Sequence, residues 1–304
     1  MTNKCNLKCE YCVVPQKQDS EINIEIINNF IFFLQKRGLI HLGISGGEPL
    51  MKIQESTAIL RHAKTLGLLT SLNTNGIQLK NCLWITELLD EIVLSLDGPE
   101  KIHDQFRGET SFQNTLDAIR LVHNIKIKKM TITVLTKENI SHIPFILDIG
   151  KQYKMTCFFQ PLCIVHDSIN DNEKMQIFKP ATAELKQAES ILISAKKKNP
   201  LLVGNSFTFL KNLSVVDDIP FNCLAGKFYV YLYPDGSLYP CYSFRDSFSP
   251  KNIDKDGFKA ALEHCQHHQC FHPCKITPFR EMDYLGKMHL ESIFNASRQF
   301  YSKP

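Results

Sequence analysis

The sequence predicts an α/β fold with a mostly parallel sheet or barrel, followed by a smaller C-terminal α+β region. Two observations predict the first part. Between residues 21 and 160, apolar spacing alternates five times between the helical period and short strand-like runs. Gly38 and Gly67 stand where two of the helical stretches must stop. A third observation sets the C-terminal part aside. The alternation ends after Pro161, and five of the 11 cysteines lie between residues 223 and 274.

Residues 21–37 place Ile24, Ile27, Ile31 and Leu34 on one helical face. Residues 39–45 form a short apolar run, the pattern of a buried strand. A helix over 53–66, a strand over 68–72 and a turn at Asn73-Thr74-Asn75-Gly76 follow. The rhythm continues with helix 80–89, strand 91–96, helix 111–124, strand 129–135, helix 140–153 and strand 156–160. Parallel strands joined in this way require right-handed crossovers. Residues 163–178 are polar and irregular, and 180–198 form one long helix. Residues 228–233 and 238–239 flank Pro234-Asp235-Gly236, the pattern of a hairpin with an Asp-Gly turn. Soft boundaries near 170 and 220 divide the chain into a core over 1–170, a helical connector over 171–220 and a tail over 221–304.

The composition excludes several classes. With 35 Lys+Arg against 31 Asp+Glu, the formal net charge is only +4, too small for nucleic-acid binding through bulk charge. A chain that is 43% hydrophobic and 22% charged is neither disordered nor collagen-like. No apolar window is long enough to span a membrane, and no secretory signal precedes Cys5. A cytoplasmic location follows as the expectation, with neither membrane nor nucleic acid as partner. In a reducing compartment, clustered cysteines are metal ligands or catalytic thiols more often than disulfides. Cys82, Cys157 and Cys163 stand apart and are expected to pack as small hydrophobes.

Cys5, Cys9 and Cys12 have the spacing C-x3-C-x2-C. Three thiolates on one loop can wrap a soft metal centre, one ligand short of closing an iron–sulfur cluster. An open position is what catalytic metal sites keep. The spacing therefore fits a cluster with one exposed iron, or a zinc whose fourth ligand lies elsewhere.

With Tyr11 before the last cysteine, the loop resembles the motif of the radical S-adenosylmethionine (SAM) superfamily. Ser45-Gly46-Gly47-Glu48-Pro49, after the next helix and strand, resembles that family's Gly-Gly-Glu motif. The resemblance implies a partial (β/α)6 TIM-type barrel and a [4Fe-4S] cluster on Cys5, Cys9 and Cys12. The cluster's open site would chelate the amino and carboxylate groups of SAM. One-electron reduction would then cleave SAM to methionine and a 5′-deoxyadenosyl radical that takes a hydrogen atom from the substrate. In the same sense Tyr11 matches the position whose backbone meets the adenine. Gly46, Gly47 and Glu48 would receive the methionyl amine, and Asn75 and Ser95, at strand ends, the ribose and carboxylate. Arg107 matches the segment that holds the SAM carboxylate. Gln160 falls at a strand end facing the expected pocket, where a substrate contact is expected.

Cys223, Gly236 and Cys241 have the spacing C-x12-G-x4-C, and Cys265-x4-Cys270-x3-Cys274 follows. This resembles the SPASM and twitch extensions of radical SAM enzymes, which carry auxiliary [4Fe-4S] clusters. The first half matches. The second departs from the SPASM pattern, since x5 is replaced by x4, the leading pair is incomplete and no cysteine follows Cys274. The resemblance then implies one auxiliary cluster on Cys223, Cys241 and Cys274, with Cys270 or Cys265 as the fourth ligand. Zinc is the competing occupant, because His264, His267, His268 and His272 are interleaved with the thiols. Another possibility is that Cys265 or Cys270 is an unligated thiol that donates a hydrogen atom.

These resemblances imply a radical SAM enzyme acting on a ribosomally made peptide or protein, reduced by a partner such as a flavodoxin or ferredoxin. The alternatives are a small-molecule dehydrogenase or cofactor-pathway enzyme, and a non-enzymatic zinc or iron–sulfur scaffold. Family members have a strand before the first cysteine, and Met1-Thr2-Asn3-Lys4 is shorter than the about 5–6 residues of a typical strand. The expectation is a start further upstream, or a barrel that lacks its first strand and exposes an edge.

Overall fold

The computed structural model describes residues 1–12, 14, 23–163, 175–215, 223–242, 248–268 and 276–301. Its core is a five-stranded parallel sheet in the order β1-β2-β3-β4-β5. The strands are β1 (His41–Ile44), β2 (Leu69–Thr74), β3 (Glu91–Ser95), β4 (Lys128–Leu135) and β5 (Thr156–Pro161). Each pairs in parallel with the next, from His41 beside Leu69 to Leu135 beside Pro161. This is the predicted α/β architecture with five strands of the six-strand plan.

Apart from Glu100–Arg107, the helices between them form where the apolar spacing predicts. Helix α1 (Ile24–Gln35) starts at Asn23, whose side chain accepts a hydrogen bond from the Glu25 N–H at 2.8 Å. Helices α2 (Ile53–Thr65), α3 (Glu100–Arg107), α4 (Ser111–Val122) and α5 (Ile143–Gln152) follow. Ile59, Leu60, Ala118, Ile119, Val122, Ile143 and Ile146 bury one face of these helices against Leu72, Ile92 and Leu94 of the sheet. Residues 80–89 differ from the predicted helix. They form two 3₁₀ segments, Leu79–Asn81 and Leu83–Leu88, because Cys82 between them leaves helical backbone at φ −145°, ψ 37°.

Short segments bond to β5 at its edge and to the loop that follows β1. Beside β5, Cys157 donates its N–H to the Leu202 carbonyl at 2.7 Å, and Gly204 donates to the Cys157 carbonyl at 2.9 Å. Beyond β1, the Gly47 N–H donates to the Thr2 carbonyl and the Glu48 N–H to the Lys4 carbonyl, both at 2.8 Å. Residues 2–4 thus pair with the loop that follows β1.

Helix α6 (Thr182–Lys198) packs Leu185, Ala188 and Leu192 into the main core, and the short α7 (Phe207–Leu210) adds Phe209 and Leu210. Strands β6 (Tyr231–Leu232), β7 (Ser237–Tyr239) and β8 (Lys251–Asn252) form an antiparallel sheet. The β6–β7 hairpin turns where predicted, with Gly236 at φ +84°, a value that favours glycine. The third strand and helices α8 (Phe258–Gln266), α9 (Thr277–Gly286) and α10 (Leu290–Tyr301) are additions to the predicted scheme. Phe30 of α1 belongs to a second cluster with Leu238, Phe248, Ile253 and Leu262, so α1 presents one face to each core. Among the described residues no helix is long and apolar enough to cross a membrane.

Candidate active site

The C-terminal ends of parallel strands are where α/β folds gather functional groups. Here β1 leads into Ser45–Pro49, β2 into Asn75, β3 into Asp97, and β5 into Cys163. The loop carrying Cys5, Cys9 and Cys12 lies over these ends and is tied down at three points.

The first tether is the contact of residues 2–4 with Gly47 and Glu48. It explains both glycines in physical terms. A Cβ on Gly46 would stand 2.7 Å from the Thr2 carbonyl oxygen, and one on Gly47 would stand 1.9 Å from that of Lys4. Gly46 also has φ +135°. The glycines therefore admit the chain's own backbone, in addition to any ligand. The second tether is Asn75, whose Nδ2 donates to Asn6 Oδ1 at 2.8 Å and lies 3.9 Å from the Cys5 sulfur. Asn75 is fixed in turn by Thr115, whose hydroxyl donates to its carbonyl at 3.1 Å.

The third tether is Asp97, fully buried two residues beyond β3. One carboxylate oxygen accepts from Arg107 Nε at 2.6 Å and from the Tyr11 hydroxyl. The other accepts from the Val134 N–H at 3.0 Å. Burial alone would raise the Asp97 pKa, but the Arg107 guanidinium beside it outweighs burial and holds it below the usual carboxylate range. Burial would likewise lower the pKa of Arg107, yet Asp97 raises it further, so Arg107 stays charged. The Glu10 N–H donates to the Phe106 carbonyl at 2.9 Å, and Tyr11 packs on the Phe106 ring at 5.8 Å. His103 accepts from the Asp97 N–H through Nδ1 at 3.2 Å. Burial, then the nearby Arg107 charge, lowers its pKa to about 4, so His103 is neutral.

Glu48 is the most informative of the expected SAM ligands. It is 1% exposed, and its oxygens accept from the Leu50 N–H (3.0 Å), the Thr74 hydroxyl (2.8 Å) and the Asn75 N–H (2.9 Å). Among the described residues no cation pairs with it. Burial raises its pKa, partly offset by these donors. A buried carboxylate without a cation suits an incoming ammonium group. The terminal nitrogens of Arg107 have no hydrogen-bond partner among the described residues, and Ser95 ends β3, half-buried.

Cys5, Cys9 and Cys12 are half-buried free thiols. Burial raises all three pKa values, that of Cys9 to about 11, with Arg107 opposing. Three soft sulfur donors on one loop beside a buried guanidinium fit an iron–sulfur cluster, whose metal deprotonates its thiols. Asp97 and His103 carried no role in the sequence reading. Their signal was the spacing from the end of β3 to Arg107, which puts an anion and a cation within one helix of each other.

The C-terminal cysteines divide. Cys223 and Cys241 join one cluster with Ala225, Ile276 and Phe279, walled by Tyr229, Tyr231 and Tyr242. Cys265 does not join it. It is buried against Leu238 and donates to the Leu238 carbonyl at 3.4 Å, so it packs as a small hydrophobe. Cys270, Cys274 and His272 lie outside the described residues. His264 and His267 bond to the Ser249 and Glu263 carbonyls, and His268 lies against Phe248. Among the described residues no three His, Cys, Asp or Glu side chains are grouped to enclose a single metal ion.

Residues 1–149 match the family model described as the radical SAM superfamily. The chain is 27% identical over 210 residues to the Fe-coproporphyrin III synthase of Methanosarcina barkeri, covering 65% of this chain and 50% of that protein. It thus spans about half the length of that curated relative. Streptococcus suis SuiB bound to S-adenosylmethionine superposes with a TM-score of 0.69 at 18% identity, over 85% of this chain and 63% of SuiB. The enzyme anSMEcpe with bound AdoMet and Kp18Cys peptide superposes with a TM-score of 0.67 at 16% identity, over 98% of this chain and 95% of that one. At these identities the likeness establishes the fold.

Proposed function

The chain belongs, through residues 1–149, to the radical SAM superfamily, and we propose that it is a SAM-cleaving enzyme that modifies a ribosomally made peptide or protein. The observation that carries the first half is the loop of Cys5, Cys9 and Cys12, tied over the strand ends beside a buried carboxylate, Glu48, that no cation pairs with among the described residues. Cys5, Cys9 and Cys12 would hold a [4Fe-4S] cluster, which would supply the electron for reductive cleavage of SAM and so the chemistry of hydrogen-atom abstraction.

The chain's own residues hold and orient. Glu48 receives the SAM ammonium group, already aimed by Leu50, Thr74 and Asn75. Arg107, charged and anchored through Nε to Asp97, offers its terminal nitrogens to the carboxylate. Asn75 and Ser95 face the ribose, the Tyr11 backbone meets the adenine, and Gln160 contacts substrate. Cys223, Cys241, Cys270 and Cys274 would hold a second cluster in residues 221–304, as in an auxiliary domain of SPASM/twitch type. A flavodoxin or ferredoxin in the cytoplasm serves as reductant.

Peptide modification is supported by the superpositions on SuiB bound to its precursor peptide SuiA and on anSMEcpe bound to a peptide. A small-molecule substrate is the second reading, favoured by the Fe-coproporphyrin III synthase relative. Reconstituted enzyme, reductant and SAM incubated with a short peptide encoded beside the gene distinguish them. A mass change in the peptide supports the first reading. An unchanged peptide, with SAM turnover that converts a tetrapyrrole precursor to Fe-coproporphyrin III, supports the second.

A further inference from the structure

Helix α3 carries His103 and Arg107 four residues apart, on one helical face. Both reach Asp97. Arg107 donates from Nε to its carboxylate at 2.6 Å, and His103 accepts its backbone N–H through Nδ1 at 3.2 Å. An Nδ1 that accepts carries no proton, so the ring proton sits on Nε2. His103 is fully buried, and Nε2 has no hydrogen-bond partner among the described residues. A buried donor left unpaired costs stability. Leucine would fill the same space without that cost, so packing does not account for the imidazole. Its accepting Nδ1 does.

Backbone pairing beyond β3 carries on to the Leu96 N–H, which donates to the Ile132 carbonyl at 3.0 Å. At Asp97 it gives way. The Val134 N–H donates to the Asp97 side chain at 3.0 Å. The peptide linking Leu96 to Asp97 is held by side chains at both ends. The Thr133 hydroxyl donates to its carbonyl at 2.6 Å, and His103 takes its N–H. The imidazole is itself held, because Phe112 lies edge-on to it at 6.0 Å and the Phe112 N–H donates to Asp104 Oδ1 at 2.7 Å. A group behind a binding residue sets that residue's direction, and a binding group already aimed costs less to order when its ligand arrives.

We propose that His103 is a positioning residue for the SAM carboxylate: by holding the Asp97 peptide, it fixes the carboxylate that aims the Arg107 guanidinium. This rests on the reading that Arg107 receives the carboxylate of SAM. His103 itself touches neither SAM nor the reacting atoms.

The test compares SAM with decarboxylated SAM, which keeps the amine and the sulfonium and lacks the carboxylate. Equilibrium dialysis of the full chain, reconstituted anaerobically and matched for iron content, gives both affinities. Wild type should prefer SAM by about tenfold or more, the worth of a hydrogen bond to a charged group. Asp97→Asn/Arg107→Met, which removes the pair together, should abolish that preference. His103→Leu should cut it to about threefold or less, with the affinity for decarboxylated SAM held within about twofold of wild type. His103→Asn should restore it, since its Oδ1 stands near the place of Nδ1. A full preference in His103→Leu overturns the proposal. So does an equal loss for both ligands, the mark of a residue that only supports the fold. If wild type shows no preference, or the double variant keeps it, Arg107 does not receive the carboxylate, and that reading falls with the proposal. Should His103→Leu fail to fold, His103→Gln is read in its place on the same terms, because its longer side chain carries the acceptor past the Nδ1 position.

Discussion

Asp97→Asn isolates the contact that ties the cysteine loop to the strand ends. Asp97 is fully buried and shares one oxygen between Arg107 and Tyr11, while the other oxygen accepts from Val134. Asparagine keeps the shape and removes the charge, leaving the Arg107 guanidinium buried without a counter-ion. Breaking a buried pair from one side costs about 3–5 kcal/mol. For a chain of this size that is a fall in melting temperature of roughly 5–8 °C. Adding Arg107→Met removes the orphaned charge, so the double variant should regain at least half of the loss. The effect has a pH signature. The Asp97 pKa is lowered in the fold, so its stabilisation is present above the unfolded value near about 4 and is lost as pH falls through the lower folded value. The deficit of Asp97→Asn should therefore shrink below about pH 4. Thermal and urea unfolding across pH measure all of this. A single-variant loss under about 1 kcal/mol, or a double variant no better than the sum of the singles, would refute the reasoning.

Two further substitutions probe the other tethers. Gly47→Ala drives a methyl into the Lys4 carbonyl at 1.9 Å and must displace the backbone whose two 2.8 Å hydrogen bonds hold residues 2–4. The expected loss is about 1–3 kcal/mol, with at least half of the first centre's iron lost on desalting; unchanged iron and melting would show that this contact does not hold the loop. Glu48→Gln turns a donor toward the Asn75 N–H and removes the buried negative charge. SAM affinity by equilibrium dialysis should fall by about tenfold or more, and an unchanged affinity would remove Glu48 from the site.

The core architecture was legible because its signals are local. Ile24, Ile27, Ile31 and Leu34 follow the helical period, and every strand of the parallel sheet overlaps a stretch that the sequence predicts as strand. Helix α3 was missed because its eight residues carry few apolar positions, and its His103, Phe106 and Arg107 are buried by tertiary contacts. Helices α8 to α10 were hidden for a related reason. Arg280 and Asp283 are buried on α9, against the polarity pattern of an amphipathic surface helix. The candidate ligands were legible from spacing alone, whereas their supports were not. Nothing in the sequence places the Lys4 carbonyl against Gly47, or the Tyr11 hydroxyl on Asp97, because those contacts exist only once the chain has folded. Cys265 shows the opposite limit. Spacing offered it as an alternative fourth ligand or an unligated thiol, and the fold buries it against Leu238.

The central claim is that Cys5, Cys9 and Cys12 hold a cluster that cleaves SAM. The most direct measurement is 5′-deoxyadenosine released by the anaerobically reconstituted protein with SAM and a strong reductant. The account predicts release from wild type and none above background from Cys12→Ala. Equal release from the two proteins, or none from wild type with its iron fully loaded, would contradict it.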